Sequence, residues 1–147
     1  MIYTELTKKA MKLAYNAHHG QTDKSGMPYI FHPYHLAEQM TDEISACVAL
    51  LHDVVEDTLI TMDILEKEFP PQVTAAVRLL THDKDTDYFD YIKAIKNNPV
   101  AKAVKLADLE HNSDHTRIAD CKSISEEKRE YWNQKYTLAR RILLEQD

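Results

Sequence analysis

The sequence predicts an all-α fold, and three observations carry that reading. Glycine is scarce, with 2 residues in 147, both in one short segment as Gly20 and Gly26, where an average domain has about 7%. Runs of β-branched residues are few while long charged side chains are many, a balance that favours helix. Apolar residues recur at three- and four-residue spacing between recognisable helix start and stop signals. Together these predict one helical domain over residues 1–147, built from about eight or nine helices, most near or below the usual ~11–12 residues. A chain of this length buries a single sizeable core.

Thr4 to His18 reads as an amphipathic helix with Leu6, Ala10, Leu13, Ala14 and Ala17 on one stripe, stopping at Gly20. Gln21 to His32 is a loop holding both glycines and Pro28. Pro33 suits the first position of a second helix, running to about Met40, which puts His32 beside the N-cap. Asp42 to Asp57 reads as one central helix. Thr61 caps Met62 to Phe69, and Pro71 opens a helix with Val73, Ala76, Val77 and Leu80 on its stripe. A polar loop, His82 to Asp87, precedes a short helix from Tyr88 to Lys96. Asn98-Pro99 is a strong start signal for the next helix. Ile118 to Lys122 is ambiguous. Ser123 with Glu126 fits a capping box before a last helix bearing Tyr131, Trp132, Leu138, Ala139, Ile142 and Leu143. That face is expected to dock on the core, its aromatic residues included.

The chain is organised around the central helix. Ala46 to Leu51 are all apolar and lead straight into His52, Asp53, Glu56 and Asp57. A helix apolar all round is a buried helix, so it carries these polar groups out of the interior. Spacings of three and four place them on one broad face. Three carboxylates at a helix C-terminus oppose the macrodipole, and burying them unpaired would cost more still. A divalent metal held by His52 and Asp53 is the economical compensation; a salt-bridged helix end with a chance histidine is the bland alternative. A second apolar helix ends the same way, in Lys105-Leu106-Ala107-Asp108 and then His111-Asn112, with Asp108 and Asn112 four apart on one face.

Composition narrows the function classes. Net charge is −6, from 18 Lys plus Arg against 24 Asp plus Glu. That argues against a nucleic-acid polymer, which wants a basic stripe. It leaves room for a small phosphorylated ligand helped by a metal or a few placed cations. Cys47 and Cys121 make no disulfide framework, so a reducing, cytoplasmic setting is expected. Met1 to Leu13 interleaves Lys and Glu and has no signal-peptide core. No apolar stretch approaches the ~20 residues that span a bilayer, so no membrane partner is expected. The sequence leaves the oligomeric state open, a homo-oligomer included.

Three blocks in order carry a resemblance. His18-His19-Gly20-Gln21, Lys24-Ser25-Gly26, Pro28-Tyr29-Ile30 and His32-Pro33 form the first. Leu50 to Thr58 is the second, and Lys105 to Asp108 with His111-Asn112 the third. The chain resembles, from His18 to about Arg117, the HD-domain hydrolases of the RelA/SpoT class. Its length is similar to that of their small single-domain alarmone hydrolases. The resemblance implies an HD-domain fold and one divalent metal ion, usually manganese, held by His32, His52, Asp53 and Asp108. Two imidazoles and two carboxylates suit such an ion keeping a water. Glu56 and Asp57 match the pair that orients or deprotonates the water, Asn112 a residue near substrate and water. The implied reaction removes the 3′-pyrophosphate of (p)ppGpp, giving GDP or GTP and pyrophosphate.

Three positions depart from the family pattern: Asp23, Leu109 and Asp114 stand where Arg is usual. Lys24, Ser25 and Arg117 remain as expected substrate contacts, with Lys105 a further phosphate partner. The less basic pocket keeps open a phosphohydrolase of another nucleotide or phosphorylated metabolite, or a nucleotide-sensing module without turnover. His18 is read as support for the site from behind. His19, His35, His82, His111 and His115 are read as surface or packing residues, and Cys47 as core.

Overall fold

In the computed structural model, which describes residues 1–146, Thr4 opens α1 (Glu5–Ala17) with a reciprocal cap. The Thr7 amide donates to the Thr4 hydroxyl at 3.1 Å, and the Thr4 amide to the Thr7 hydroxyl at 2.8 Å. After α1 the chain turns through Gly20 and Gly26, at φ +86° and +83°, a left-handed region that L side chains enter only with strain. One isolated antiparallel bridge, Thr22 to Pro28, closes this loop. The elements that follow are α2 (Phe31–Glu38), α3 (Glu43–Leu51), α4 (Val54–Asp57), α5 (Met62–Glu68), α6 (Pro71–Leu80), α7 (Tyr88–Lys96), α8 (Pro99–Asn112), a 3₁₀ turn (His115–Arg117) and α9 (Glu126–Leu144). Among the described residues the fold is all-α, as expected. None of these helices is long and apolar enough to cross a membrane.

Thr61 and Asn98 are the caps the sequence announces, and Asp42 caps α3 in the same way. Asp42, Thr61 and Asn98 each accept a hydrogen bond from the backbone amide three residues on. Pro71 and Pro99 open their helices.

Helix α3 is the axis of the fold. Every residue from Ser45 to Leu51 is buried, and the helix packs against α1, α2, α6 and α8. Val48, Leu50, Leu51, Val54, Leu65, Val73, Val77, Ile92, Ile95 and Leu109 fill the core around it, and Cys47 is buried among them. Completely burying one such aliphatic side chain contributes roughly 1.5–3 kcal/mol. The surrounding helices thus hold the C-terminal end of α3 in a fixed place.

Three boundaries differ from the sequence reading. The central helix is not continuous to Asp57: it stops at Leu51, turns through His52 and Asp53, and resumes as α4. The Ala49 carbonyl, which the Asp53 amide would take in an uninterrupted helix, accepts instead from His52 Nδ1 at 2.7 Å. Asp53 then sits at φ −105°, ψ 0°, the bridge region common at functional sites. Helix α2 begins at Phe31, so His32 lies inside its first turn and not beside its cap. Helix α9 begins after Ser125, whose hydroxyl accepts from the Lys128 amide at 3.1 Å, and not at a Ser123–Glu126 box. Its buried stripe is only Ala139 and Leu143; Tyr131 is 62% exposed and Leu138 40%.

Candidate functional site

Three buried elements deliver one cluster. The first turn of α2 brings His32, the break after α3 brings His52 and Asp53, and the last turns of α8 bring Asp108. His32 Nε2 is 2.9 Å from Asp108 Oδ1, and His52 Nε2 is 2.9 Å from Asp53 Oδ2 and 3.7 Å from Asp108 Oδ1. His32, His52 and Asp108 are all buried. The break in the central helix is what lets His52 and Asp53 face the same point.

The donor set fits a cation. His52 commits its Nδ1 proton to the Ala49 carbonyl, so a neutral ring leaves Nε2 bare. That buried nitrogen has no partner at hydrogen-bond angles, although a carboxylate oxygen lies 2.9 Å away. Ligand atoms of His32, His52 and Asp53 lie within 4.8 Å of one another. Two imidazoles and two carboxylates so placed could hold a divalent metal ion. Without one, the charges lean on each other. Burial alone would depress the His52 pKa, but Asp53 and Asp108 hold it well above the usual histidine value. Burial alone would raise that of Asp108, but Lys105, with His32 and His52, holds it well below the carboxylate range. Lys105 Nζ donates to Asp108 Oδ2 at 2.9 Å.

A layer of hydrogen bonds surrounds the cluster. The Tyr29 hydroxyl donates to Asp53 Oδ2. Asn112 Nδ2 donates to Asp108 Oδ1 at 3.1 Å, as the helical spacing of four requires. His18 is buried behind Tyr29, ring centroids 4.9 Å apart. Its Nδ1 lies 2.7 Å from Gln21 Oε1, and Gln21 Nε2 donates to the Asp57 carbonyl at 2.8 Å. His18 therefore braces the turn that carries Glu56 and Asp57, in keeping with a supporting place behind the site.

Glu56 and Asp57 sit on α4 with carboxylate oxygens within 4.8 Å of that of Asp53. Glu56 Oε1 accepts from the His82 amide at 2.6 Å. Burial, with Asp53 and Asp57 nearby, raises the Glu56 pKa above the ordinary glutamate value; burial and Asp53 raise that of Asp57. Both are groups poised to hold a proton more readily than a surface acid.

The cluster floors an open cleft of about 500 Å³, within the size range of small-molecule sites. Lys24, Ser25, Asn112 and Arg117 all line it, as do Lys105 and Lys135. The three departures from the family pattern have separate fates. Leu109 is core, 1% exposed. Asp114 lines the cleft, and its carboxylate accepts from the Thr116 amide at 3.0 Å. Asp23 Oδ1 accepts from the Ser25 amide, the Ser25 hydroxyl and the Met27 amide, while Oδ2 lies 3.6 Å from Arg117 Nη2.

Sequence reasoning missed several residues of the cleft and of the cluster beneath it. Trp132 lines the cleft instead of the core, Tyr136 lines it while packing against the core, and Lys24 Nζ lies 3.4 Å from the centre of the Trp132 ring. Helical spacing puts Trp132 on the buried stripe, but that stripe is only two residues wide. His82 gives its backbone amide to Glu56 and stacks on Tyr91 at 4.6 Å. His111 contacts His32. No local pattern marks these two; their sequence position in or after recognised blocks was the available signal. His19, His35 and His115 are exposed as expected.

Comparison with known proteins agrees with this geometry. The HD domain family model matches residues 10–106, more than half of the chain. The GTP pyrophosphokinase of Myxococcus xanthus is 34% identical over 126 residues, covering 74% of this chain and 17% of that protein. The GTP pyrophosphokinase rsh of Brucella melitensis is 34% identical over 122 residues, covering 73% and 16%. The chain thus spans about a sixth of the length of these relatives. A solved structure described as a metazoan ortholog of SpoT that hydrolyses ppGpp and plays a role in starvation responses superposes with a TM-score of 0.85. It is 26% identical, and the match covers 98% of this chain and 88% of that one. The chain belongs to the HD domain family and is similar over most of its length to RelA/SpoT-class members of it.

Proposed function

We propose that residues 1–147 act as one HD-type phosphohydrolase domain that removes the 3′-pyrophosphate of (p)ppGpp, giving GDP or GTP and pyrophosphate. The observation that carries this reading is the convergence of His32, His52, Asp53 and Asp108 at the floor of a cleft whose walls carry Lys24, Lys105 and Arg117. These four residues would hold one divalent ion, with manganese the reading the family resemblance favours. When bound, such an ion lowers the pKa of a water and offsets phosphoryl charge.

The chain's own residues then divide the work. Glu56 takes the proton from the attacking water, its raised pKa bringing it closer to neutral operation. Asp57, also raised, orients that water from the same turn. Asn112, fixed on Asp108, points its carbonyl oxygen at Arg117 Nη1, 3.3 Å away, and aligns the guanidinium toward substrate. Lys24 and Ser25 meet the nucleotide at the mouth. The solved relative whose title names ppGpp hydrolysis supports this substrate. The acidic net charge argues for a small nucleotide and against a nucleic-acid polymer. A cytoplasmic setting fits both free cysteines.

A second reading rests on Asp23. Its ion pair with Arg117 and the nearby Asp114 make the cleft less basic, which favours a nucleotide with fewer phosphates. A purely sensing module is disfavoured by the complete set of His32, His52, Asp53, Glu56, Asp57 and Asp108. Rates for ppGpp, pppGpp, GTP, GDP and other mononucleotides with manganese, using Asp53→Ala as the blank, separate these readings. The highest kcat/KM on ppGpp or pppGpp supports the alarmone; the highest on another nucleotide moves the assignment to it. No turnover on any of them rejects the enzyme.

A further inference from the structure

His111 makes a contact that the chemistry above does not use. Its Nδ1 lies 2.7 Å from Nδ1 of His32. The two rings are nearly parallel, 6° apart with centroids at 5.0 Å, and the exposed His35 ring stacks against His111 with its centroid at 4.1 Å. Two ring nitrogens at 2.7 Å share one proton between them, and the direction of that bond has a consequence at the other end of His32. A neutral imidazole carries a single N–H. Without a cation, His32 Nε2 at 2.9 Å from the Asp108 carboxylate is the donor; with a cation on a bare Nε2, the single ring proton is on Nδ1 and points at His111.

We propose that His111 is a positioning residue: its bare Nδ1 accepts the His32 Nδ1 proton, fixing the tautomer and ring plane that leave His32 Nε2 free to ligate. The proposal rests on the metal-centre reading given under Proposed function. The usual acceptor behind a ligating histidine is a carboxylate, a carbonyl or a water; here it is a second imidazole. The supply is local. His111 is three residues beyond Asp108 on α8, so one helix provides both the carboxylate that faces His32 Nε2 and the acceptor that faces its Nδ1. Arg117 Nη1 donates to the His111 carbonyl at 2.9 Å, anchoring the helix end that carries the ring.

The test compares His111→Phe, which keeps a ring for stacking but offers no acceptor, with His111→Asn, whose side-chain oxygen falls where Nδ1 was. Manganese affinity is read from the free-ion signal by electron paramagnetic resonance, without substrate. Thermal melting in EDTA checks that each variant is folded. The expected result is manganese binding weakened about 10- to 100-fold in His111→Phe, and within about threefold of wild type in His111→Asn, since a neutral oxygen acceptor is among the usual partners of a ligating histidine. Wild-type affinity in His111→Phe, or equal weakening in both, overturns the acceptor role. Should His111→Phe not fold, the zinc-loaded wild type decides by long-range ¹H–¹⁵N spectra. His32 protonated on Nδ1 supports the proposal, and protonated on Nε2 overturns it. Wild-type protein that takes up no manganese would instead reject the metal-centre reading, a separate outcome.

Discussion

Asp23 and Arg117 face each other across the mouth of the cleft, Oδ2 to Nη2 at 3.6 Å. The pair links the loop after α1 to the segment after α8. Asp23 accepts three further hydrogen bonds from Ser25 and Met27, so the acid both folds its loop and draws on the charge of a candidate substrate contact. Asp23→Asn keeps an oxygen at the loop and removes the charge. Freeing Arg117 should lower KM for a polyphosphorylated nucleotide by up to about fivefold, since a partly exposed pair contributes ~0–1 kcal/mol. Steady-state kinetics at two salt concentrations measure this, and a raised KM would assign Asp23 a direct substrate role instead.

The same carboxylate gives a pH dependence of stability with a defined sign. Burial would raise the Asp23 pKa, but the hydrogen bonds from Ser25 and Met27 and the charge of Arg117 prevail and lower it. A depressed folded pKa contributes stability that is present above the unfolded value and lost as pH falls through the folded one. The difference in melting temperature between wild type and Asp23→Asn should therefore be constant from pH 7 to about 5 and shrink below about 4. Melting curves in EDTA across that range check it.

Much of this was legible in the sequence. The caps at Thr61 and Asn98, the periodicity of the first helix and the apolar run Ala46 to Leu51 pointed to the helices and the buried axis, because capping and periodicity are local. The blocks around His32, His52, Asp53 and Asp108 do converge in space. What was not legible is set by tertiary contact. The helix break at His52 depends on a ring nitrogen taking the Ala49 carbonyl. Trp132 lies on a helix whose polar and apolar faces are both partly covered, so spacing alone could not separate cleft from core. His111 reads as an ordinary histidine until α2 and α8 are packed together.

Lys105 is a buried cation whose Nζ sits on Asp108 and 5.3 Å from the Tyr91 ring centre. Lys105→Met leaves Asp108 without that partner inside the protein. Breaking a buried pair from one side costs roughly 3–5 kcal/mol. Urea denaturation of the metal-free protein should show a loss of that order, partly restored by manganese. An unchanged midpoint would mean that His32, His52 and Asn112 satisfy Asp108 without it.

Glu56→Gln keeps the shape of the side chain and its contact with the His82 amide but cannot take a proton. Turnover should fall by roughly 10²–10⁴, as loss of a general base does, with manganese affinity unchanged. In the wild type the raised Glu56 pKa should set the acid limb of kcat, with activity expected to fall as pH drops through a value above that of an ordinary glutamate. A rate unaffected by the substitution would remove Glu56 from the chemistry and leave Asp57 as the candidate.

We propose that His32, His52, Asp53 and Asp108 together make this chain a metal-dependent phosphohydrolase of (p)ppGpp. It is tested most directly by product analysis after incubating metal-stripped protein with ppGpp, with and without manganese, beside Asp53→Ala. GDP and pyrophosphate are expected in equal amounts, only with manganese and only from the wild type. Manganese bound by the wild type with no release of pyrophosphate, or equal release by Asp53→Ala, would contradict it.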